Sequence, residues 1–337
     1  MKKDILVTGV QPTGPMHIGN YVGTVRNLVN LQNAFRGRCL VFVADYHSLS
    51  EDYDPKKKQE QVLMLAAELL AAGLDPKKVT LYVQSDVPEV TELAWIFNTL
   101  TPISFLERMT QFKDKAERQR SNINVGLFDY PVLQAADILL PKATTVPVGA
   151  DQVQHVELSR DVARFFNRKY GETFPEPKAL LTETPRVMSL ADPSKKMSKS
   201  VPGSFISICD SPEEIKKKMR SAVTDVGPKE EGMIPPFANG GMSPGVTNLM
   251  TLLREFGTSE DARRVEAAYR DGSIRYVDLK DLIAARIAEH FVDFRKKRAS
   301  LLKNPAKVRS VLKRGGSRVR TMTRATMTEV RKKTGLR

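Results

Sequence analysis

The chain has 337 residues, 41% hydrophobic and 27% charged, with two cysteines, four histidines and a formal net charge of +14. These proportions belong to a folded globular protein with room for one large and one smaller core. Cys39 and Cys209 allow no disulfide framework, and the scattered His17, His47, His155 and His290 allow no Cys/His zinc cluster, so any metal would be oxygen-bound.

The N-terminal run Ile5-Leu6-Val7 reads as a buried strand. Gln11, Pro12, Thr13 and Gly14 break it, and Val22, Val25 and Val29 then recur at helical spacing from about Asn20. A glycine-bearing turn that feeds a helix N-terminus suits a phosphate, and reads equally as an ordinary first βα turn. Within it, His17 and Asn20 lie one helical turn apart, and Gly19 between them permits close approach. Residues 38–44 predict a second strand, Pro55 to Gly73 an amphipathic helix, and Val79 to Val83 a third strand. That alternation predicts a parallel sheet covered by helices, with ligands beyond the carboxyl ends of its strands, where Asp45 to His47 also falls. From Pro88 to about Asn167 the pattern is helical apart from a short strand at Thr145 to Val148. Phe174 to Pro185 reads as a loop and Arg186 to Leu190 as a strand. Helices are expected at 211–224, 245–256, 259–270, 276–302, 305–314 and 321–334.

No apolar run reaches the length of a membrane span, since Glu68 interrupts Val62 to Leu74. Asp4 and Pro12 stand where a secretion signal needs apolar residues, so a cytoplasmic protein is expected. The charge is unevenly placed. From Arg286 onward there are 17 Lys and Arg against three acidic residues, whereas the residues before it carry 36 of each sign. A solvated face accounts for such a run; so does a surface that attracts a polyanion, of which nucleic acid is the commonest in the cytosol.

Two short motifs carry a resemblance. His17-Ile18-Gly19-Asn20 is similar to the His-x-Gly-His signature of class I aminoacyl-tRNA synthetases, with Asn in fourth place. Lys196-Met197-Ser198-Lys199-Ser200 matches the second signature of that class in the expected order. The lysine run lies between Pro193 and Pro202-Gly203, a hinged loop whose two ammonium groups could close on a triphosphate. Further stretches narrow the likeness to tryptophanyl-tRNA synthetases: Glu107 to Lys115, Tyr130 to Leu140, Val146 to Asp161, Ser221 to Asp225 and Pro244 to Leu249. It fades after about Arg295.

The change to helices alone puts a domain boundary near residue 205, and the resemblance makes 1–205 an α/β, Rossmann-like parallel-sheet catalytic domain bearing a helical tryptophan-binding and dimerisation insertion at about 88–185. An all-helical, tRNA anticodon-binding domain with a basic end would follow over 206–337. It further implies activation of L-tryptophan by ATP and transfer to tRNA(Trp), by a homodimer. The catalytic residues implied are His17, Asn20, Lys115, Lys196 and Lys199. ATP would lie against Gln11, Pro12, Thr13, Gly19, Asn20, Gly149, Ala150, Asp151, Val187 and the loop Lys196, Met197, Ser198, Lys199 and Ser200. Magnesium would be held mainly by its phosphates, with no protein-bound metal.

Tyr130, Gln134 and Asp137 fall on one stripe of a helix, either as surface residues or as a pocket. An indole offers one N–H donor and no acceptor, which suits a carboxylate; by resemblance Asp137 takes that role, with Tyr130, Gln134, Gln152 and His47 around the amino acid. Gln134 departs from the methionine frequent in bacterial members. Asp151 reads equally as a helix cap, and His155 and His290 are assigned to structure. A tyrosine-specific synthetase, an adenylyl transferase that never meets tRNA, and a non-catalytic RNA-binding paralogue are the alternatives.

Overall fold

The computed structural model describes residues 4–109, 123–182, 185–199, 201–224 and 242–337. Its centre is a sheet of five parallel strands, β1 (Ile5–Val10), β2 (Arg38–Val43), β3 (Val79–Val83), β4 (Thr145–Val148) and β5 (Lys178–Leu181), in the order β3-β2-β1-β4-β5. Leu6 pairs with Cys39 on one side and Thr145 on the other, so the winding direction reverses between β1 and β4. Open α/β sheets bind ligands at such a reversal, beyond the strands' carboxyl ends. The strands are near-continuous apolar runs, Cys39 to Val43 all buried, because helices cover both faces.

Among the described residues the helices are α1 (Ile18–Asn20), α2 (Arg26–Ala34), α3 (Pro55–Ala71), α4 (Glu89–Asn98), α5 (Ile103–Glu107), α6 (Val125–Leu139), α7 (Val153–Tyr170), α8 (Pro212–Arg220), α9 (Pro244–Phe256), α10 (Ser259–Arg270), α11 (Tyr276–His290), α12 (Val292–Lys303) and α13 (Pro305–Thr334). Among the described residues none is long and apolar enough to cross a membrane.

The chain forms two compact units, each assembled from separated segments. The first comprises Met1–Gly14, Leu28–Glu183 and Ser300–Arg337, and the second Pro15–Asn27 and Thr184–Ala299. In the first, Phe97, Phe166 and Phe174 meet edge to face under α4 and α7, and α13 lies along β3, adding Val319, Met327 and Val330 to the same core. In the second, Tyr21, Phe256, His290, Phe291 and Phe294 form an aromatic cluster, Arg26 pairs with Glu255 at 2.6 Å, and Arg220 grips Asp281 through two bonds.

This division differs from a boundary near residue 205, because the last helix packs on the sheet and the opening turn joins the later segment. Four local expectations also change. The helix expected over 276–302 breaks at Phe291, whose buried ring sits in the aromatic cluster. The two expected over 305–334 are one, since Gly315 and Gly316 let the helix pack closely instead of ending it: a methyl on Gly315 would overlap the Leu81 carbonyl oxygen, and one on Gly316 the Asp86 side chain. Residues 178–181, expected as loop, complete the sheet by pairing with β4. Arg186 to Leu190 forms no sheet strand; it belongs to the other unit and pairs locally, in an antiparallel bridge between Met188 and Lys196.

Candidate active site

In the second unit, His17 is the N-cap of the single turn α1. Its Nδ1 accepts the Asn20 N–H at 3.2 Å while Asn20 Oδ1 accepts the His17 N–H at 3.4 Å, a reciprocal capping box. The turn starts two residues earlier than apolar spacing suggests, and a π-helical turn, Tyr21–Val25, follows it. Gly19 passes beneath the imidazole, where a Cβ would lie 3.0 Å from the ring and 3.7 Å from Val187. His17 is 6% exposed. Burial, with Lys199 and then Lys196 adding their charges, lowers its pKa to about 4. The ring is therefore neutral at physiological pH, and with Nδ1 accepting, its proton resides on Nε2, which presents a donor.

The lysine loop is pinned beside this turn by its backbone. Met197 N–H donates to Val187 O at 3.2 Å, Ser189 N–H to Lys195 O at 2.8 Å, and Ser198 N–H to Ser204 Oγ at 3.2 Å. Met197 is buried, while Lys196 is exposed and Lys199 half-buried. Asn248, 3% exposed on α9, brackets the backbone of Met188, accepting its N–H at 2.9 Å and donating to its carbonyl at 3.1 Å. Ile18 N–H donates to Ile206 O and Ile208 N–H to Met16 O, which ties the turn to the segment after the loop. The two motifs, far apart in sequence, thus meet within one unit.

In the first unit, β4 runs into a tight turn at Gly149, where the Gln152 N–H returns to the Gly149 carbonyl at 3.0 Å. Neither Gly149 nor Gln152, the caps of the turn and of α7, receives a side-chain capping bond, and Asp151 is exposed. Asp151 lies inside the turn, one residue before the N-cap position of α7. Gln11, Pro12 and Thr13 follow β1, so both stretches lie where the winding of the sheet reverses.

The same unit buries Asp137, 5% exposed on α6. Its Oδ2 accepts from His47 Nε2 at 2.9 Å and from Gln84 Nε2 at 2.8 Å, and its Oδ1 from the same Gln84 nitrogen at 2.9 Å. Burial pushes this carboxyl above the usual range, and the hydrogen bonds from His47 and Gln84 oppose that. Tyr130 stacks on His155 and hydrogen-bonds its Nε2 at 2.8 Å, and its ring meets His47 edge-on with centroids 6.3 Å apart. Gln134 is half-buried on the same helix. The surface alternative for Asp137 is excluded by its burial.

Lys115 and Ser200 lie outside the described residues. Of the other expected residues, His17, Gly19, Asn20, Val187, Lys196, Met197, Ser198 and Lys199 share the second unit, and Gln11, Pro12, Thr13, His47, Tyr130, Gln134, Asp137, Gly149, Ala150, Asp151 and Gln152 share the first. His155 supports Tyr130, and His290, 3.1 Å from the Tyr21 hydroxyl, belongs to the aromatic cluster. Two residues escape the sequence reading, Gln84 and Asn248. Gln84 carries no local signal beyond being a lone amide after a strand, whereas Asn248 lies in the stretch Pro244 to Leu249 that shares the family likeness and could have been found there.

Comparison with known proteins agrees with this geometry. Residues 2–292 match the profile of the tRNA synthetases class I (W and Y). The tryptophan–tRNA ligase of Wolinella succinogenes is 40% identical over 343 residues, covering 100% of both chains. That of Caldanaerobacter subterraneus subsp. tengcongensis is 42% identical over 333 residues, 98% of this chain and 97% of its own. The crystal structure of tryptophanyl-tRNA synthetase from Campylobacter jejuni, complexed with ADP and tryptophan, superimposes with a TM-score of 0.84 at 34% identity, over 98% of this chain and 100% of that one.

Proposed function

The chain belongs to the class I tRNA synthetases of the tryptophan and tyrosine type, and from that premise we propose that it is a tryptophan–tRNA ligase of the cytoplasm. The observation that carries the choice of amino acid is the buried acceptor Asp137, steadied by His47 and Gln84. An indole N–H matches it, and a ligand without that donor would cover the carboxylate while leaving its remaining acceptor capacity unused. Tyr130, Gln134 and Gln152 complete the amino-acid site.

In the first step the tryptophan carboxylate attacks the α-phosphorus of ATP, giving tryptophanyl-adenylate and pyrophosphate. The nucleophile is already an anion, so no general base is needed, and the protein supplies position and charge. His17 donates Nε2–H to a phosphate oxygen as a neutral group, Asn20 flanks it, and Lys196, Lys199 and Lys115 balance the charge that develops on the pyrophosphate. Gln11, Pro12, Thr13, Gly19, the Gly149-Ala150-Asp151 turn and the backbone at Val187 hold the nucleoside, with Asp151 on ribose hydroxyls. The side chains gathered at the turn, His17, Lys196 and Lys199, are nitrogen donors. Magnesium therefore enters as the companion of the phosphates.

In the second step the terminal ribose hydroxyl of tRNA(Trp) takes the acyl group. The exposed face of α13 carries Lys307, Lys313, Arg314, Arg318, Arg324 and Lys332, and Glu329 is the helix's one acid, engaged by Lys142 at 2.9 Å. Such a face suits the tRNA backbone. A homodimer is supported by the exposure of Trp95 at 71%, Ile103 at 65% and Val125 at 80% on α4, α5 and the start of α6. Exchange of labelled pyrophosphate into ATP tests the reading: dependence on tryptophan is expected, and dependence on tyrosine, or no exchange, refutes it.

A further inference from the structure

Gln84 directly follows β3, opens the 3-10 turn Gln84–Asp86 and is 1% exposed. Its Oε1 accepts two backbone N–H groups from the corner after β2, Tyr46 at 3.1 Å and His47 at 3.3 Å. Those two donors settle which end of the amide is oxygen, for the reverse orientation would aim NH2 at N–H groups and oxygen at a carboxylate. The amide nitrogen is thereby directed at Asp137, within 2.9 Å of both carboxylate oxygens. The corner is braced alongside: Asp45 Oδ1 accepts from the Tyr46 and Ser85 N–H groups at 3.1 and 3.0 Å, and its Oδ2 accepts from the Ser85 hydroxyl at 2.5 Å.

We infer that Gln84 is a positioning residue for indole recognition: through its amide it fixes the plane of the Asp137 carboxylate and presents Oδ1 to the N–H of the substrate. The inference rests on the tryptophan reading of this site. Oδ2 already serves His47 and Gln84, whereas Oδ1 takes Gln84 alone, so Oδ1 keeps the lone pair that a ligand can use. An amide suits the task because it is neutral. An arginine or lysine in its place would cancel the charge the substrate needs, and an apolar side chain would leave the carboxylate free to rotate and easier to protonate. By also holding the His47 backbone, Gln84 sets the second donor to Asp137.

The test uses the full-length protein and steady-state pyrophosphate exchange, with tryptophan and with 3-benzothienylalanine, which replaces the indole N–H by sulfur in the same shape. Gln84→Met is expected to raise KM for tryptophan tenfold or more with KM for ATP within about twofold. It should reduce the preference for tryptophan over the sulfur analogue by a similar factor and move the acid limb of kcat/KM for tryptophan to higher pH. A loss of kcat or of thermal stability that leaves the preference and the acid limb unchanged makes Gln84 merely structural and overturns the inference. Gln84→Glu keeps acceptors for the Tyr46 and His47 N–H groups and guards against a variant that fails to fold. A proton shared between Glu and Asp137 restores one donor, so its KM for tryptophan should rise with pH, and a flat profile also overturns the inference. Wild-type protein without tryptophan-dependent exchange would refute the assigned reaction; an active wild type with an unaltered Gln84→Met variant would refute the positioning role alone.

Discussion

The imidazole Nδ1 of His17 accepts the backbone N–H of Asn20 at 3.2 Å, so the proton of the neutral ring sits on the opposite nitrogen. One capping bond therefore starts a helix and selects the tautomer that leaves Nε2 as the donor.

The lowered pKa of His17, about 4 against an ordinary 6.5, makes stability depend on pH. Between those values the unfolded chain binds a proton that the folded chain refuses, so stability is full above 6.5 and falls as pH drops towards 4. Roughly 2 kcal/mol should be lost between about pH 7 and pH 5. Urea unfolding of the wild type and His17→Gln at both values checks this, since the variant should lack that share of the loss.

Asp137→Ala leaves the donors of His47 and Gln84 buried without their acceptor, at a cost of about 1–3 kcal/mol in stability. KM for tryptophan should rise at least tenfold, and that for ATP much less. In the wild type the raised pKa of this carboxyl predicts that tryptophan binding weakens on acidification sooner than an ordinary aspartate would allow. Equilibrium binding of tryptophan across acidic pH measures it.

Asn248→Ala removes both bonds to the Met188 backbone. Because that backbone pairs with Lys196, the lysine loop should lose its register. The expected result is a severalfold higher KM for ATP with KM for tryptophan unchanged, read in the exchange assay.

Neutralising Lys313, Arg314, Arg318 and Arg324 together to glutamine should weaken tRNA charging while pyrophosphate exchange continues at the wild-type rate. The dependence of tRNA binding on salt should flatten, by roughly 0.7–0.9 in the log–log slope for each phosphate that the helix no longer neutralises. Substitution is a cleaner probe than deleting residues 305–337, because the buried side of α13 is part of the core. Consistent with that, Gly315→Ala should lower the melting temperature by several degrees through its overlap with the Leu81 carbonyl.

That His17 to Asn20 and Lys196 to Lys199 belong together was legible because each signature is written in a short local string. The parallel sheet was legible too, since apolar runs of strand length alternate with helical spacing. What stayed hidden depends on distant partners. Gln84 takes its meaning from residues 38 and 53 positions away, and nothing within a window of chain distinguishes it from any polar residue after a strand. The gap expected between 314 and 321 is helix because Gly315, which local propensity disfavours there, packs closely against the backbone of β3. The boundary near 205 was drawn from a change in pattern, but units built from interleaved segments leave no such mark at the chain positions where they exchange.

The placement of α13 also bears on biosynthesis. Strand β3 emerges from the ribosome long before the helix that covers it, so Tyr82 waits for Val319, Met327 and Val330. A nascent chain in that interval exposes a greasy seam for chaperones to shield.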